Sequence, residues 1–343
     1  MKAANYGDVG CLHGDIRTGT HGDPNIRRGQ SGSVVDAVTS HGDHATFPLK
    51  ALYQKQLVGR LDFPVHLVDA QSPDRVEYVD RLEDKYVEGD PAIGLLQSSY
   101  RPHEMLTLHT ADAMVRAINQ AKVGPVSGAP LAFAIQTGDN ADNCQLNEFR
   151  WNIDILDGKT VTPDSGNKTK YEGVADNVDY DTHYWHPDAP PAGKAADVYK
   201  TRFGFPQVTG LLNAARKPFK AEGIKMPWYS VFGNHDGLVQ GNFPNTLPLS
   251  LLATGPLKAT ALPPGLSEAD VLTSLKSANA GVLLGALGLA SARLVTPDAK
   301  RKVLTRKQVV AEHFNTSGTP KGHGYTCLLY TSPSPRDRTR SRM

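Results

Sequence analysis

The chain has 343 residues, 39% hydrophobic and 21% charged, which is enough for one large domain or two modest ones around a core. Lys+Arg number 37 and Asp+Glu 35, so the net charge of +2 gives no electrostatic drive toward nucleic acid or an anionic membrane. The cysteines, Cys11, Cys144 and Cys327, are too few and too scattered for a disulfide framework or a zinc cluster.

Residues 1–57 are rich in Gly, His, Asp and Arg, with almost no hydrophobic periodicity before Phe47. They read either as a polar N-terminal arm or as an out-of-frame translation. No apolar stretch follows Met1 that would serve as a signal peptide. A partial domain is expected over 58–326, its patterning clear from Phe63. Val65-His66-Leu67-Val68 reads as a buried strand stopping at Asp69. Thr110 is placed to cap a helix over Ala111 to Gln120, with Met114, Val115 and Ile118 on one face. Leu131 to Ile135 is a second buried strand, running into Thr137-Gly138-Asp139, and Leu146, Phe149, Ile153 and Leu156 then recur at helical spacing.

The stretch 157–205 is rich in Asp, Pro, Gly, Tyr and Trp and reads as a long surface insertion, with Tyr184, Trp185 and His186 placed to shape a substrate site. A helix around Val208 to Arg216 precedes the strand Trp228 to Phe232, which stops at Gly233-Asn234-His235-Asp236. Ser267-Glu268-Ala269-Asp270 has the form of a capping box ahead of Val271, Leu272 and Leu275. The apolar run Gly281 to Ala290 is too short to span a bilayer and suits a buried helix or hairpin. Lys300-Arg301-Lys302 with Arg306 and Lys307 reads as a solvated helix face. Residues 327–343 resemble the translation of a transposon-type sequencing adapter; the other reading is a Ser/Pro/Arg-rich tail. On the adapter reading the natural protein continues past about Thr326.

Three polar clusters therefore sit where apolar strands stop, and in α/β sheets ligand sites gather at the carboxyl ends of strands. In Gly233-Asn234-His235-Asp236, Asn234 offers an amide oxygen to a cation, and His235 can stabilise charge or protonate a leaving alkoxide. In Gly138-Asp139-Asn140-Ala141-Asp142-Asn143, Asp139 can bridge two metal ions, and Asp142 can orient a histidine or a bound water. His66 and Asp69, three residues apart, supply further candidate ligands. The bland readings are a Gly-Asn turn, an Asx-rich turn capping the next helix, and a packed histidine. No Gly-x-Gly-x-x-Gly or P-loop is present, and His103 and His109 are spaced too far apart to share a helix face as protease ligands do.

Taken together, the order of these motifs resembles the calcineurin-like metallophosphoesterase superfamily, whose pattern runs Asp-x-His, Gly-Asp-x-x-Asp, Gly-Asn-His-Asp/Glu, then further histidines. Val68-Asp69-Ala70-Gln71-Ser72-Pro73-Asp74-Arg75, Leu156-Asp157-Gly158, Tyr184 to Pro187, Pro227-Trp228-Tyr229 and Gly322 to Tyr325 look like a bacterial subgroup of it, over about residues 60–326. The resemblance implies an α/β fold, a two-sheet sandwich flanked by helices and incomplete at the C-terminus. It implies hydrolysis of a small-molecule phosphate ester, monoester or diester, at a dinuclear centre of Mn, Fe or Zn, with the ions roughly 3.5–4 Å apart. Asp139 would bridge the ions, Asn234 would bind the second, His66 would fill the first histidine slot, and His235 would be the phosphate-facing acid. The Asp expected two residues before His66 is Pro64. Either Asp69 with Gln71 replaces that motif, or the frame upstream of His66 is faulty. The closing Gly-His-x-His is absent, since Tyr325 stands where its second histidine belongs. The polypeptide is accordingly expected to bind metal poorly and to turn over little. The rival expectation is a non-catalytic binding module with a degenerate metal site. Exported relatives leave the localisation of the intact protein open.

Overall fold

A computed structural model describes residues 66–75, 100–124, 128–238, 241, 245, 247–260 and 292–325, all within one compact unit spanning Ala45–Met343. Pro64, the N-terminal 1–57, the capping box at Ser267, the apolar run Gly281–Ala290 and the tail 327–343 lie outside the described residues. The architecture is mixed α/β, built on small sheets. A short 3-10 turn, Glu104–Leu106, leads into α1 (Thr107–Ala121). Then follow β1 (Ala134–Gln136), α2 (Leu146–Leu156) and β2 (Thr160–Val161). After a long irregular stretch come α3 (Val198–Phe203), α4 (Leu211–Ala215), β3 (Phe219–Lys220) and β4 (Trp228–Ser230). The described part ends with α5 (Leu247–Thr254), β5 (Leu257–Ala259), β6 (Ala292–Leu294) and α6 (Arg306–Phe314).

β1 and β4 pair in parallel, with Ile135 opposite Tyr229, while β2–β3 and β5–β6 are antiparallel pairs. The strand expected over Leu131 to Ile135 is three residues long and only half covered, with Phe133 and Ile135 exposed. Pattern alone cannot say how many neighbours a strand has, and β1 is paired with β4 alone among the described residues. β4 gains a second flank from irregular chain: Trp228 and Ser230 donate their N–H groups to the carbonyls of Thr319 and His323. The stretch at 66–68 forms an isolated parallel bridge, Leu67 against Ala141.

The cap of α1 is Leu106, four residues before the expected Thr110, and Thr110 instead donates its hydroxyl back to the Leu106 carbonyl. α2 lies where the spacing put it. A reciprocal capping box of Gln145 and Glu148 starts it, and Phe149, Ile153, Ile155 and Leu156 are all buried. Gln136 and Asn152 exchange two side-chain hydrogen bonds at 2.9 and 3.0 Å, fixing β1 to α2.

The expected surface insertion 157–205 carries exposed turns but also supplies part of the core. Tyr171, Val174, Tyr184, Trp185 and Tyr199 pack with Tyr100, Met105, Phe205 and Leu212 into one buried cluster. Trp185 donates its indole N–H to the Pro206 carbonyl, and His186 bonds the Asp181 carbonyl, so neither faces a substrate. Periodicity misses this layer because Asx turns hold it, with Asp176, Asp181 and Asn167 accepting from amides two residues on. In the basic run Lys300, Lys302, Arg306 and Lys307 are exposed as expected, and Arg301 alone departs. Arg301 is fully buried and faces the acidic side chain of Asp69 rather than solvent.

Candidate metal centre

Three strand-end segments converge, and short-range stitching makes them do so. The Leu67 amide donates to the Asn140 carbonyl (3.1 Å), and the Asp142 amide donates to that of Leu67 (3.2 Å). His66 is thereby carried alongside the Asp139–Asp142 loop. That loop in turn packs on the turn after β4: a Cβ at Gly138 would come within 2.6 Å of the Gly233 Cα, and one at Gly233 would meet the Asp139 carboxylate. Only glycine at both positions permits this approach. Asp139 itself has a left-handed backbone (φ 57°) and accepts the His235 amide at 2.9 Å. Asp236 completes the join from within. It is fully buried and accepts from the amides of Gly233 (2.8 Å) and Ala141 (2.7 Å) and from the Asn140 side chain (3.0 Å). Burial pushes the Asp236 carboxyl up to about 7, against the downward pull of those N–H groups.

The result is a cluster of His66, Asp142 and His235 whose candidate donor atoms lie within 4.8 Å of one another. The imidazole rings of His66 and His235 are 4.7 Å apart. Asp142 is fully buried, with Oδ1 at 2.7 Å from His66 Nδ1 and Oδ2 at 2.6 Å from Arg101 Nη1. Burial alone would raise the Asp142 carboxyl; Arg101, His235 and His66 outweigh it and hold the group well below the usual carboxylate range. Burial lowers His66, opposed by its bond to Asp142.

The tautomer of His66 follows from charge. Nδ1 lies between Asp142 Oδ1 at 2.7 Å and Arg101 Nη2, a donor only, at 3.0 Å; the shorter contact, to a carboxylate, assigns the proton to Nδ1, which donates it to Asp142. Nε2 is then a bare donor atom, buried without a hydrogen-bond partner and 3.9 Å from Asp139 Oδ2. His235 Nδ1 is also buried and unpartnered, 3.9 Å from Asp142 Oδ1 and beyond hydrogen-bonding reach. The His66 lone pair and an Asp139 oxygen, with Asp142 bonding the far side of that imidazole, fit a borderline divalent ion, and His235 stands beside them.

The expected residues thus divide. His66, Asp139, Asp142 and His235 come together. Asn234 sits between Gly233 and His235 at the same turn, with an exposed side chain. Asp69, expected among the ligands, is spent elsewhere. Its Oδ1 accepts from the Gln71 amide and Ser165 Oγ, and its Oδ2 accepts from Asn147 Nδ2 (2.7 Å) and pairs with Arg301 (3.4 Å). A carboxylate saturated in this way has no lone pair to give a metal without breaking the buried network. Sequence reasoning also missed two contributors. Asp236 was visible in its motif, but its role as a brace was not. Arg101 carries no motif signal: it precedes α1 and reaches the cluster across the fold.

Among the described residues no helix is long and apolar enough to cross a membrane. Comparison with known proteins finds no matching family model, no matching curated protein and no matching solved structure.

Proposed function

We propose that this chain is a metal-dependent phosphoric ester hydrolase of the calcineurin-like metallophosphoesterase type, with the cluster above as its metal centre. The observation that carries the reading is the pair of unpartnered buried nitrogens, His66 Nε2 and His235 Nδ1, in residues that cluster with Asp142, with His66 Nε2 3.9 Å from Asp139. Unpaired polar atoms in a buried site cost free energy, and a ligand is the usual compensation. On this reading His66 and Asp139 hold the first ion, with Asn234 contributing its amide oxygen to a second. Asp142 locks the His66 tautomer from behind. His235, at the more open side, donates toward a leaving oxygen. The ions, when bound, supply Lewis-acid polarisation of the ester and an activated water. Mn, Fe and Zn all suit nitrogen and oxygen donors. The two-sheet sandwich of that superfamily belongs to the same proposal, with the β1–β4 pair as part of its first sheet.

The test is calorimetric titration of the full chain with Mn²⁺ and Zn²⁺, together with hydrolysis of a generic aryl phosphate. The expected result is at least one bound ion with a dissociation constant on the order of 0.1 mM, about −5.5 kcal/mol. Binding is lost in His66→Ala and reduced in His235→Ala. Slow turnover, abolished by a chelator, accompanies it. Absence of any binding by the folded wild type overturns the reading. The alternative, a binding module with a decayed metal site, draws on Asp142 already being paired on both oxygens by His66 and Arg101. It predicts that absence.

A further inference from the structure

We propose that Arg101 anchors the terminal oxygens of the substrate phosphate, and that through it the site selects dianionic phosphomonoesters over monoanionic phosphodiesters. The proposal rests on the reading of this cluster as a phosphoester centre, and its test separates the two.

The cluster has a back and a front. His66 and Asp142 are 2% and 0% exposed, whereas Arg101, Asp139 and His235 are 22%, 26% and 31% exposed. A solute entering the site therefore meets Arg101, Asp139 and His235 first. Of these three, Arg101 is the one whose positive charge does not depend on pH. A guanidinium carries five N–H donors; here Nη1 bonds Asp142 at 2.6 Å, and Nη2 faces His66 Nδ1 at 3.0 Å and Asp142 at 3.4 Å. Nε and the second N–H of Nη1 are left for a ligand.

The group is also held in place. Asp142 grips it from the buried side, and Asp142 is itself bonded to His66. The Arg101 backbone amide donates to Glu104 Oε1 at 3.1 Å, and Glu104 is ion-paired with the buried Arg75. A guanidinium held in this way offers a phosphate oxygen a charge-assisted hydrogen bond from a fixed position. A monoester dianion presents three terminal oxygens and a second negative charge to it, where a diester presents two oxygens and one charge. A role confined to neutralising Asp142 would give no such discrimination.

The experiment measures binding of orthophosphate and of dimethyl phosphate to the full chain at pH 8 by calorimetry, with and without saturating Mn²⁺. Wild type is expected to favour orthophosphate by at least about tenfold, the size of a charge-assisted hydrogen bond. Arg101→Gln is expected to lose about 10- to 100-fold in orthophosphate affinity with little change for dimethyl phosphate, and Arg101→Lys to recover part of the loss. Mn²⁺ affinity, titrated separately, changes by no more than a few-fold in either variant. Equal loss for both ligands, no loss in Arg101→Gln, or no orthophosphate binding by wild type overturns the proposal. If Arg101→Gln does not fold, a wild type that fails to prefer orthophosphate, or an Arg101→Lys variant that keeps the full preference, overturns it equally. Mn²⁺ binding with Arg101-independent phosphate affinity removes the anchor and leaves the metal reading standing. Arg101-dependent phosphate binding without Mn²⁺ binding does the reverse.

Discussion

Replacing Asp69 by Asn separates a structural carboxylate from a metal ligand. The substitution keeps the volume and one carbonyl oxygen but removes the charge. Asp69 is 2% exposed, and its partner Arg301 is fully buried, bonded otherwise to Ser165 Oγ (2.9 and 3.1 Å) and the Thr296 carbonyl (3.0 Å). Breaking a buried ion pair from one side typically costs about 3–5 kcal/mol, because the remaining charge loses its compensation. The new amide NH2 adds to this by facing N–H and O–H donors that the carboxylate accepted. Against a domain stability of about 5–15 kcal/mol the loss is a large fraction. With a urea slope near 2–3 kcal/mol/M it moves the midpoint down by about 1–2 M. Arg301→Met should lose a comparable amount, and the double variant less than the sum, since the second change removes a charge already orphaned. Mn²⁺ affinity of the folded Asp69→Asn protein should stay within about twofold of wild type. A stability loss under about 1 kcal/mol together with a tenfold weaker Mn²⁺ affinity would refute this reasoning and return Asp69 to the ligand set.

Gly233→Ala places a methyl group against the Asp139 carboxylate, so Mn²⁺ binding should fall at least about tenfold while the melting temperature drops by a few degrees, an overpacking cost of about 1–3 kcal/mol. Asp236→Asn leaves one of three N–H donors facing an amide NH2, so amide exchange at Gly233 and Ala141 should accelerate and stability should fall by about 1–3 kcal/mol. Burial, then the neighbouring His323, pushes His313 down to about 3. An unfolded histidine takes up a proton below about 6.5 while the folded one does not, so this contribution is full above that pH and is lost as pH falls toward 3. The stability difference between wild type and His313→Leu, read from urea melts, should therefore shrink by about 1 kcal/mol between pH 6 and pH 5; a constant difference would show that His313 is not buried in its neutral form.

What was legible in the sequence was local. The spacing of Leu146, Phe149, Ile153 and Leu156 located α2, and the apolar run Trp228 to Phe232 located β4, which stops at Ser230, because helical and strand patterns survive without knowledge of neighbours. The juxtaposition of His66, Asp139, Asp142 and His235 was legible as motif order. Its basis, the Leu67–Ala141 bridge and the Gly138–Gly233 contact, is long-range and leaves no trace in a window of residues. The aromatic layer at 171–205 looked like surface because its polar turn residues outnumber its core residues, yet Trp185 is 1% exposed. Arg301 misled in the same way: a basic triplet says nothing about which member has a buried carboxylate opposite it.

Asp69, Asp236 and Glu148 show why residue type at a strand end is a poor guide to chemistry and pairing a better one. All three are buried carboxylates within or beside the polar clusters at the strand ends, and each has both oxygens filled by N–H or O–H groups of this chain. Glu148 bonds the Asp69 and Asn143 amides at 2.9 Å each, tying the first segment to the second. Asp236 ties the second to the third. The β1–β4 pair is too short to align three loops by itself, so these acids carry the alignment and are unavailable for catalysis. At the cluster itself His66 Nε2 and His235 Nδ1 are left unpartnered, as is Asn140 Oδ1 in the neighbouring loop, while the three acids of the framework have their bonds made. A site assembled on that division should lose metal affinity but little stability when a ligand is removed, and stability but little metal affinity when a brace is removed, which is the contrast the Asp69 and His66 substitutions measure.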